Sequence, residues 1–311
     1  MGISFEFSEI NQRVKLDPRG LLAECDAALN TKIAMAAADI ATASAIKPIV
    51  LLSGPSGSGK TTTAGKLSMG LGHIGIKCHV VSMDDYFLSF NPDTHPRDKH
   101  GNIDFESPEC MDIPLLTEHF EILSSGGEIE VPHFDFTRQK RSELPGRYIR
   151  LQKNEVAIFE GIHALNPSML RGSFGATRVY ASARSSVKRG GEMFFKSTWL
   201  RLVRRIIRDD NFRGWKPDRT MGLWAGVRRG EKNYISPYKE LADIKIDTSM
   251  PYELPVLKSH AMHLFSEIPS GAERRDEFCL IRDRLAEFCP IEEHMVSVKS
   301  LLREFIGGGL I

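Results

Sequence analysis

Gly54-Pro-Ser-Gly-Ser-Gly59-Lys60-Thr61 fits the pattern GxxxxGK[ST], and each residue type in it answers a need of a bound polyphosphate. Glycines let successive backbone N–H groups turn inward on phosphate oxygens, and a following helix adds the positive end of its dipole. Lys60 is placed to reach the β/γ oxygens, and the Thr61 hydroxyl to bind magnesium. With Pro55, Ser56, Gly57, Ser58 and Thr62, these residues form the expected nucleotide-binding set.

Two further groups could serve phosphoryl transfer. Ser82-Met-Asp84-Asp85-Tyr86-Phe87 follows an apolar run, and an aspartate there could orient an acceptor hydroxyl and take its proton. Phe159-Glu160-Gly161-Ile162-His163 ends another apolar run, so Glu160 could hold magnesium directly or through water. Arg201, Arg204, Arg205 and Arg208 recur at helical spacing, with Trp199, Leu202, Val203 and Ile206 on another face. One side is expected to pack and the other to close over phosphates as a basic lid. The guanine-reading NKxD sequence does not occur, and the DxxG match at Asp98–Gly101 follows no strand, which disfavours a GTPase switch.

These groups require an ordered scaffold. Ile49–Leu52 reads as a buried strand running into the glycine-rich loop, and the residues from Thr62 to Met69 suit a helix. Cys78–Ser82, Val156–Phe159, Arg178–Ala181 and Ile244–Ile246 read as four more buried strands with helical patterns between most of them. Alternation of this kind predicts an α/β fold with a five-stranded parallel sheet. Residues 128–151, with Leu144-Pro145-Gly146 near their end, are expected to form a hairpin insertion at the sheet edge. A helix is expected over 18–46. Helical segments are expected at 252–267, 272–288 and 295–306, with Gly307–Gly309 fraying. The expected organisation is a helical segment at 1–47, a kinase core at 48–250 with its lid near 197–216, and a helical extension at 251–311.

The chain has 311 residues, 41% of them hydrophobic, enough to bury a core without disulfide or metal staples. Its formal net charge of +1 argues against general attraction to nucleic acid or anionic membranes. Five widely spaced cysteines without a CxxC pair indicate reduced thiols, and no apolar run is long enough to span a bilayer, so a cytoplasmic protein is expected.

In these motifs and their order the chain resembles the uridine kinase and phosphoribulokinase group of P-loop kinases, over about residues 48 to 247. The matching blocks are the loop at 54–61, the 82–87 segment, Phe105–Asp112, Pro132–Arg141, Glu160-Gly-Ile162, Arg204–Asp209 and Pro237–Asp243. Segments 227–233, 252–258 and 300–307 look like a bacterial uridine-kinase-like branch. Members of that branch often carry an amino-terminal threonyl-tRNA-synthetase-like module. With only about 47 residues ahead of the core, no such module is expected here.

The resemblance implies a P-loop NTPase fold, ATP and Mg2+ as cofactors, Asp84 as catalytic base and Glu160 as the magnesium-associated acid. It implies Lys60, Arg204, Arg205 and Arg208 as catalytic cations, and Arg213 as a lid residue on the nucleotide. It also implies that Phe87, Glu106, Phe134, Gln139 and Arg141 bind the acceptor. Group members are often oligomeric, which makes a homo-oligomer one expectation. Three departures concern the acceptor. Phe134 and Gln139 stand where uridine kinases have a tyrosine and a histidine, and Glu106 where they have an aspartate, so the polar contacts that select uracil and ribose are altered. Trp215 also stands where many relatives place a lid arginine. The expected activity is transfer of the ATP γ-phosphate to a hydroxyl of a small, nucleoside-like acceptor. The alternatives are a kinase of a sugar, sugar phosphate or other small alcohol, and a nucleotide-binding regulator without efficient transfer.

Overall fold

The computed structural model describes residues 4–172, 174–272 and 274–310. In chain order the amino-terminal part comprises β1 (Ser4–Glu6), α1 (Phe7–Leu16), α2 (Pro18–Ala43), β2 (Ile49–Ser53), α3 (Lys60–His73), β3 (Lys77–Ser82) and α4 (Ile113–Ser124). An insertion follows, with β4 (Glu128–Val131), β5 (Phe134–Asp135), β6 (Lys140–Arg141) and β7 (Arg147–Arg150). Next come β8 (Glu155–Glu160), β9 (Ala176–Ser182), β10 (Ser186–Arg189), β11 (Glu192–Phe195), α5 (Ser197–Arg213) and α6 (Pro217–Gly230). The chain closes with β12 (Ile244–Asp247), α7 (Glu253–Ser266), α8 (Arg275–Ala286) and the short α9 (Arg303–Ile306).

The main sheet has five parallel strands in the order β12-β9-β2-β8-β3. β2 lies at its centre, and its side chains alternate between two apolar layers. Val50 and Leu52 join the larger core with α2, α3, α5, α7 and α8 residues, while Ile49 and Leu51 face a smaller one containing Leu116 and Phe120 of α4. Burial on both faces explains the uninterrupted apolar run at 49–52. All five strands point the same way, so β2, β3 and β8 end at one edge of the sheet. The registers Leu52↔Glu160 and Ser82↔Glu160 bring those ends side by side.

The insertion folds as expected: β4 pairs antiparallel with β7, and β5 with β6. Arg147 of β7 donates to the Val80 carbonyl at 2.7 Å, fastening it to the edge strand β3. Two expectations about the termini fail. Within 295–306 only α9 is α-helical, a 3-10 turn ends at Met295, and the Ser297 and Ser300 hydroxyls accept the N–H groups of Lys299 and Leu302 and form turns instead. The final glycines are also held, with Leu310 N–H donating to Val298 O at 3.0 Å. The segment at 4–16 adds β1, which pairs parallel with β10 in a three-stranded sheet, β1-β10-β11, not anticipated from the sequence. Among the described residues, no helix is long and apolar enough to cross a membrane.

Candidate active site

The glycine-rich loop leaves β2 against β9 with no room for a side chain at its first residue. A Cβ at Gly54 would lie 2.0 Å from the Ala181 carbonyl oxygen. The loop's carbonyls are gripped from outside: Arg201 Nη1 donates to Ser56 O at 3.1 Å, Arg204 Nη1 to Gly57 O at 2.9 Å, and Thr248 Oγ1 to Ser58 O at 2.7 Å. Across a planar peptide the next N–H points away from the C=O, so these outward pulls aim the Gly57 and Gly59 amides toward the concave side.

Lys60 opens α3, with its ammonium 3.4 Å from Pro55 O. Burial pushes its pKa down, while Glu160, Asp84 and Glu304 pull it back up. Thr61 Oγ1 donates to Glu160 Oε1 at 3.2 Å, so the two expected magnesium ligands are neighbours. Burial pushes Glu160 up to about 7, helped by the negative charges of Asp84 and Glu304 and opposed by Lys60. A divalent cation would favour its ionised form. No cluster of three or more His, Cys, Asp or Glu side chains suited to a metal occurs among the described residues. Mg2+ takes one or two protein oxygens and completes its shell with phosphate and water.

The paired aspartates after β3 have different surroundings. Asp85 Oδ1 accepts the Phe134 N–H at 3.2 Å and pairs with His133 Nδ1 at 3.1 Å, which ties the insertion to the sheet edge. Among the described residues no side chain donates a hydrogen bond to the Asp84 carboxylate. Asp84 lies instead in the field of Lys60, Arg213 and Arg208, and burial raises its pKa against those charges. A raised pKa makes a carboxylate a better proton acceptor.

α5 departs from the expected one-sided helix, since its basic face is buried as well. Arg204 is fully buried. Its Nε and Nη2 donate to Glu253 at 2.6 and 2.7 Å, and Nη2 also donates to Thr248 O at 3.1 Å. With Nη1 on Gly57 O, the Arg204 guanidinium braces the loop and is not free to close over phosphates. Arg201 likewise pairs with Glu231 at 2.8 Å. The other arginines converge on buried Asp209, which lies 3.2 Å from Arg205, 2.7 Å from Arg208 and 3.4 Å from Arg213. Arg205 Nη1 also reaches Ser56 Oγ at 2.9 Å. Arg208 and Arg213 are the more open members, with side chains 19% and 44% exposed.

The residues expected to bind the acceptor are only partly gathered. Phe134 packs on Phe87 and Phe136 with ring centroids 5.8 and 5.0 Å apart. Glu106 falls within the charge field of Arg205, Asp104, Asp84 and Lys60, and burial raises its pKa. Gln139 lies apart from these: it is exposed at the tip of the β5–β6 hairpin with φ of 52°, and its carbonyl accepts Phe90 N–H. Arg141 is engaged by Asp112 at 2.9 Å and by the Tyr86 carbonyl at 3.4 Å. A cavity of about 570 Å³ runs from Thr61 and Glu160 past Ser82 and Asp85 to His133 and Pro145 of the insertion. Sequence reasoning did not assign Asp209, Thr248, Glu231, Glu253 or Glu304. Asp209 closes the Arg204–Asp209 block, and that position was its signal. The rest act through distant pairings.

The model of the phosphoribulokinase / uridine kinase family matches residues 49–188. A uridine kinase from Deinococcus deserti is 29% identical over 208 residues, 65% of this chain and 88% of that protein. A uridine kinase from Macrococcus caseolyticus is 30% identical over 199 residues, 64% of this chain and 86% of its own. Among solved structures, one described as a possible uridine kinase from Bacillus stearothermophilus aligns with a TM-score of 0.42 at 21% identity, covering 65% of this chain and 89% of that one.

Proposed function

Because the chain belongs to the phosphoribulokinase / uridine kinase family, we propose that it transfers the γ-phosphate of magnesium ATP to a hydroxyl of a small acceptor, a nucleoside first. The observation that carries this reading is the division of labour between Asp84 and Asp85. A protein that only binds nucleotide has no use for a carboxylate free of hydrogen-bond donors and set among Lys60, Arg208 and Arg213.

In this reading the 54–62 segment holds the triphosphate through backbone N–H groups and Lys60. Thr61 and Glu160 would hold magnesium, which neutralises charge on the phosphate oxygens. Arg205, Arg208 and Arg213, kept together by Asp209, face the charge that grows during transfer. Asp84 orients the acceptor hydroxyl and accepts its proton. Phe87, Phe134 and Phe136 offer a wall on which a base can stack. Arg141, the guanidinium of the acceptor motif, is already paired with Asp112, which favours an uncharged acceptor over a sugar phosphate.

The test is ADP release from MgATP across nucleosides, sugars and sugar phosphates, for wild type, Asp84→Asn and Asp85→Asn. A nucleoside is expected to be turned over, and Asp84→Asn to lower kcat by about 10²-fold or more. Asp85→Asn is expected to act mainly on acceptor KM. Turnover of a sugar phosphate alone would move the assignment to the phosphoribulokinase side, and full activity in Asp84→Asn would reject the base.

A further inference from the structure

The carboxyl-terminal segment reaches into the phosphate-binding loop. Glu304 Oε2 accepts both the backbone N–H of Thr62, at 3.0 Å, and its hydroxyl, at 2.8 Å. α3 begins at Lys60, and its first backbone bond runs from Thr63 N–H to Gly59 O. The Thr62 N–H is therefore the last free amide donor of the helix amino terminus, in the part of the loop that receives phosphate oxygens. A carboxylate from 242 residues away holds it.

A second contact comes from the same segment. Gly59 has φ of 80°, and a Cβ there would meet the Leu301 methyl carbons at 2.8 and 2.9 Å, so the Leu301 side chain covers the loop where it enters α3. The segment is seated firmly. Leu301, Leu302 and Phe305 are fully buried, the Arg204 guanidinium lies 4.9 Å over the Phe305 ring, and Asn211 of α5 donates to Phe305 O at 3.1 Å. The Glu304 charge also acts on Lys60 and Glu160, the groups assigned to the γ-phosphate and the metal.

We propose that Glu304 is an internal stand-in for a donor phosphate: it occupies the Thr62 anion position, and a nucleoside triphosphate must displace it to bind in full. The proposal rests on the nucleotide-binding reading above. It makes the carboxyl-terminal segment a competitor of the donor, so that donor affinity is set jointly by the loop and by residues 301–304. Displacement breaks two hydrogen bonds to a charged group and relieves repulsion between the Glu304 carboxylate and the incoming phosphates.

Calorimetric titration of MgATP into the full-length protein, with thermal unfolding of the ligand-free protein, tests this on Glu304→Ala and Glu304→Gln. Ligand-free Tm is expected to fall, because a helix cap is lost. MgATP affinity is expected to rise, about 10-fold or more in Glu304→Ala, the scale of a hydrogen bond to a charged group. Glu304→Gln, which keeps the shape and a weaker acceptor, is expected to lie between and covers the case in which the alanine variant folds poorly. A cap without competition would lower Tm while leaving affinity unchanged or weaker, and that result overturns the proposal. Tight wild-type binding unmoved by either variant also overturns it but leaves the kinase assignment standing. Absence of MgATP binding in wild type and both variants removes the donor assignment and this proposal together.

Discussion

The glycine-rich loop and the flank proposed to bind the acceptor share one sheet edge but are built differently. The loop is clamped by buried charge, with Arg204 between Glu253 and Gly57 O, Arg201 between Glu231 and Ser56 O, and Thr248 on Ser58 O. The acceptor flank hangs on the short β5–β6 and β4–β7 pairings, one aromatic cluster, and polar ties that are partly open to solvent. A rigid cradle suits a donor whose phosphates are always the same. A flank made of loops and rings could change its ligand by changing a few side chains, as the proposed acceptor role of Glu106 and Phe134 would require.

If that contrast holds, the largest effect on stability follows from Arg204→Ala. It leaves Glu253 as an uncompensated buried carboxylate, both side chains being 0% exposed, and should destabilise by about 3–5 kcal/mol in denaturant unfolding. Arg141→Ala breaks a pair whose side chains are 29% and 22% exposed, and should cost no more than about 1 kcal/mol. Similar losses in the two variants would erase the distinction. Lys60→Ala should leave folding intact and lower kcat/KM for ATP by about 10²–10³-fold, the range for removing one preorganised group that stabilises transferring charge. Wild-type turnover would show that Lys60 does not contact the donor. The smallest effect belongs to the acceptor side: Phe134→Ala should raise acceptor KM by about 10-fold, the scale of one aromatic contact, with ATP KM unmoved. A parallel change in ATP KM would mean that the two sides are mechanically coupled.

Much of the donor side was legible because its parts are contiguous. The loop, its preceding strand and its following helix occupy 49–73, and local pattern alone specifies them. The inner strands β2 and β8 could also be read, since burial on both faces demands nearly unbroken apolar runs, whereas the edge strands β3 and β12 are only partly buried and carry polar residues between their apolar ones. The acceptor side was less legible. Gln139 belongs to a matching block yet lies at a hairpin tip, because a two-residue strand pairing, and not the motif, decides where it points.

The sequence by itself determined that a phosphate-binding loop leads from strand to helix, that carboxylates follow two neighbouring strands, and that arginines recur along one later helix. Only the tertiary structure decided which partners those groups meet. It paired Arg204 with Glu253 across 49 residues and so made it a brace, left Asp84 open while Asp85 tied down the insertion, and brought Glu304 onto Thr62 across 242 residues. A buried charge must be paired wherever the fold supplies a partner. Local periodicity records that a charge is present but carries no information about a partner so far along the chain.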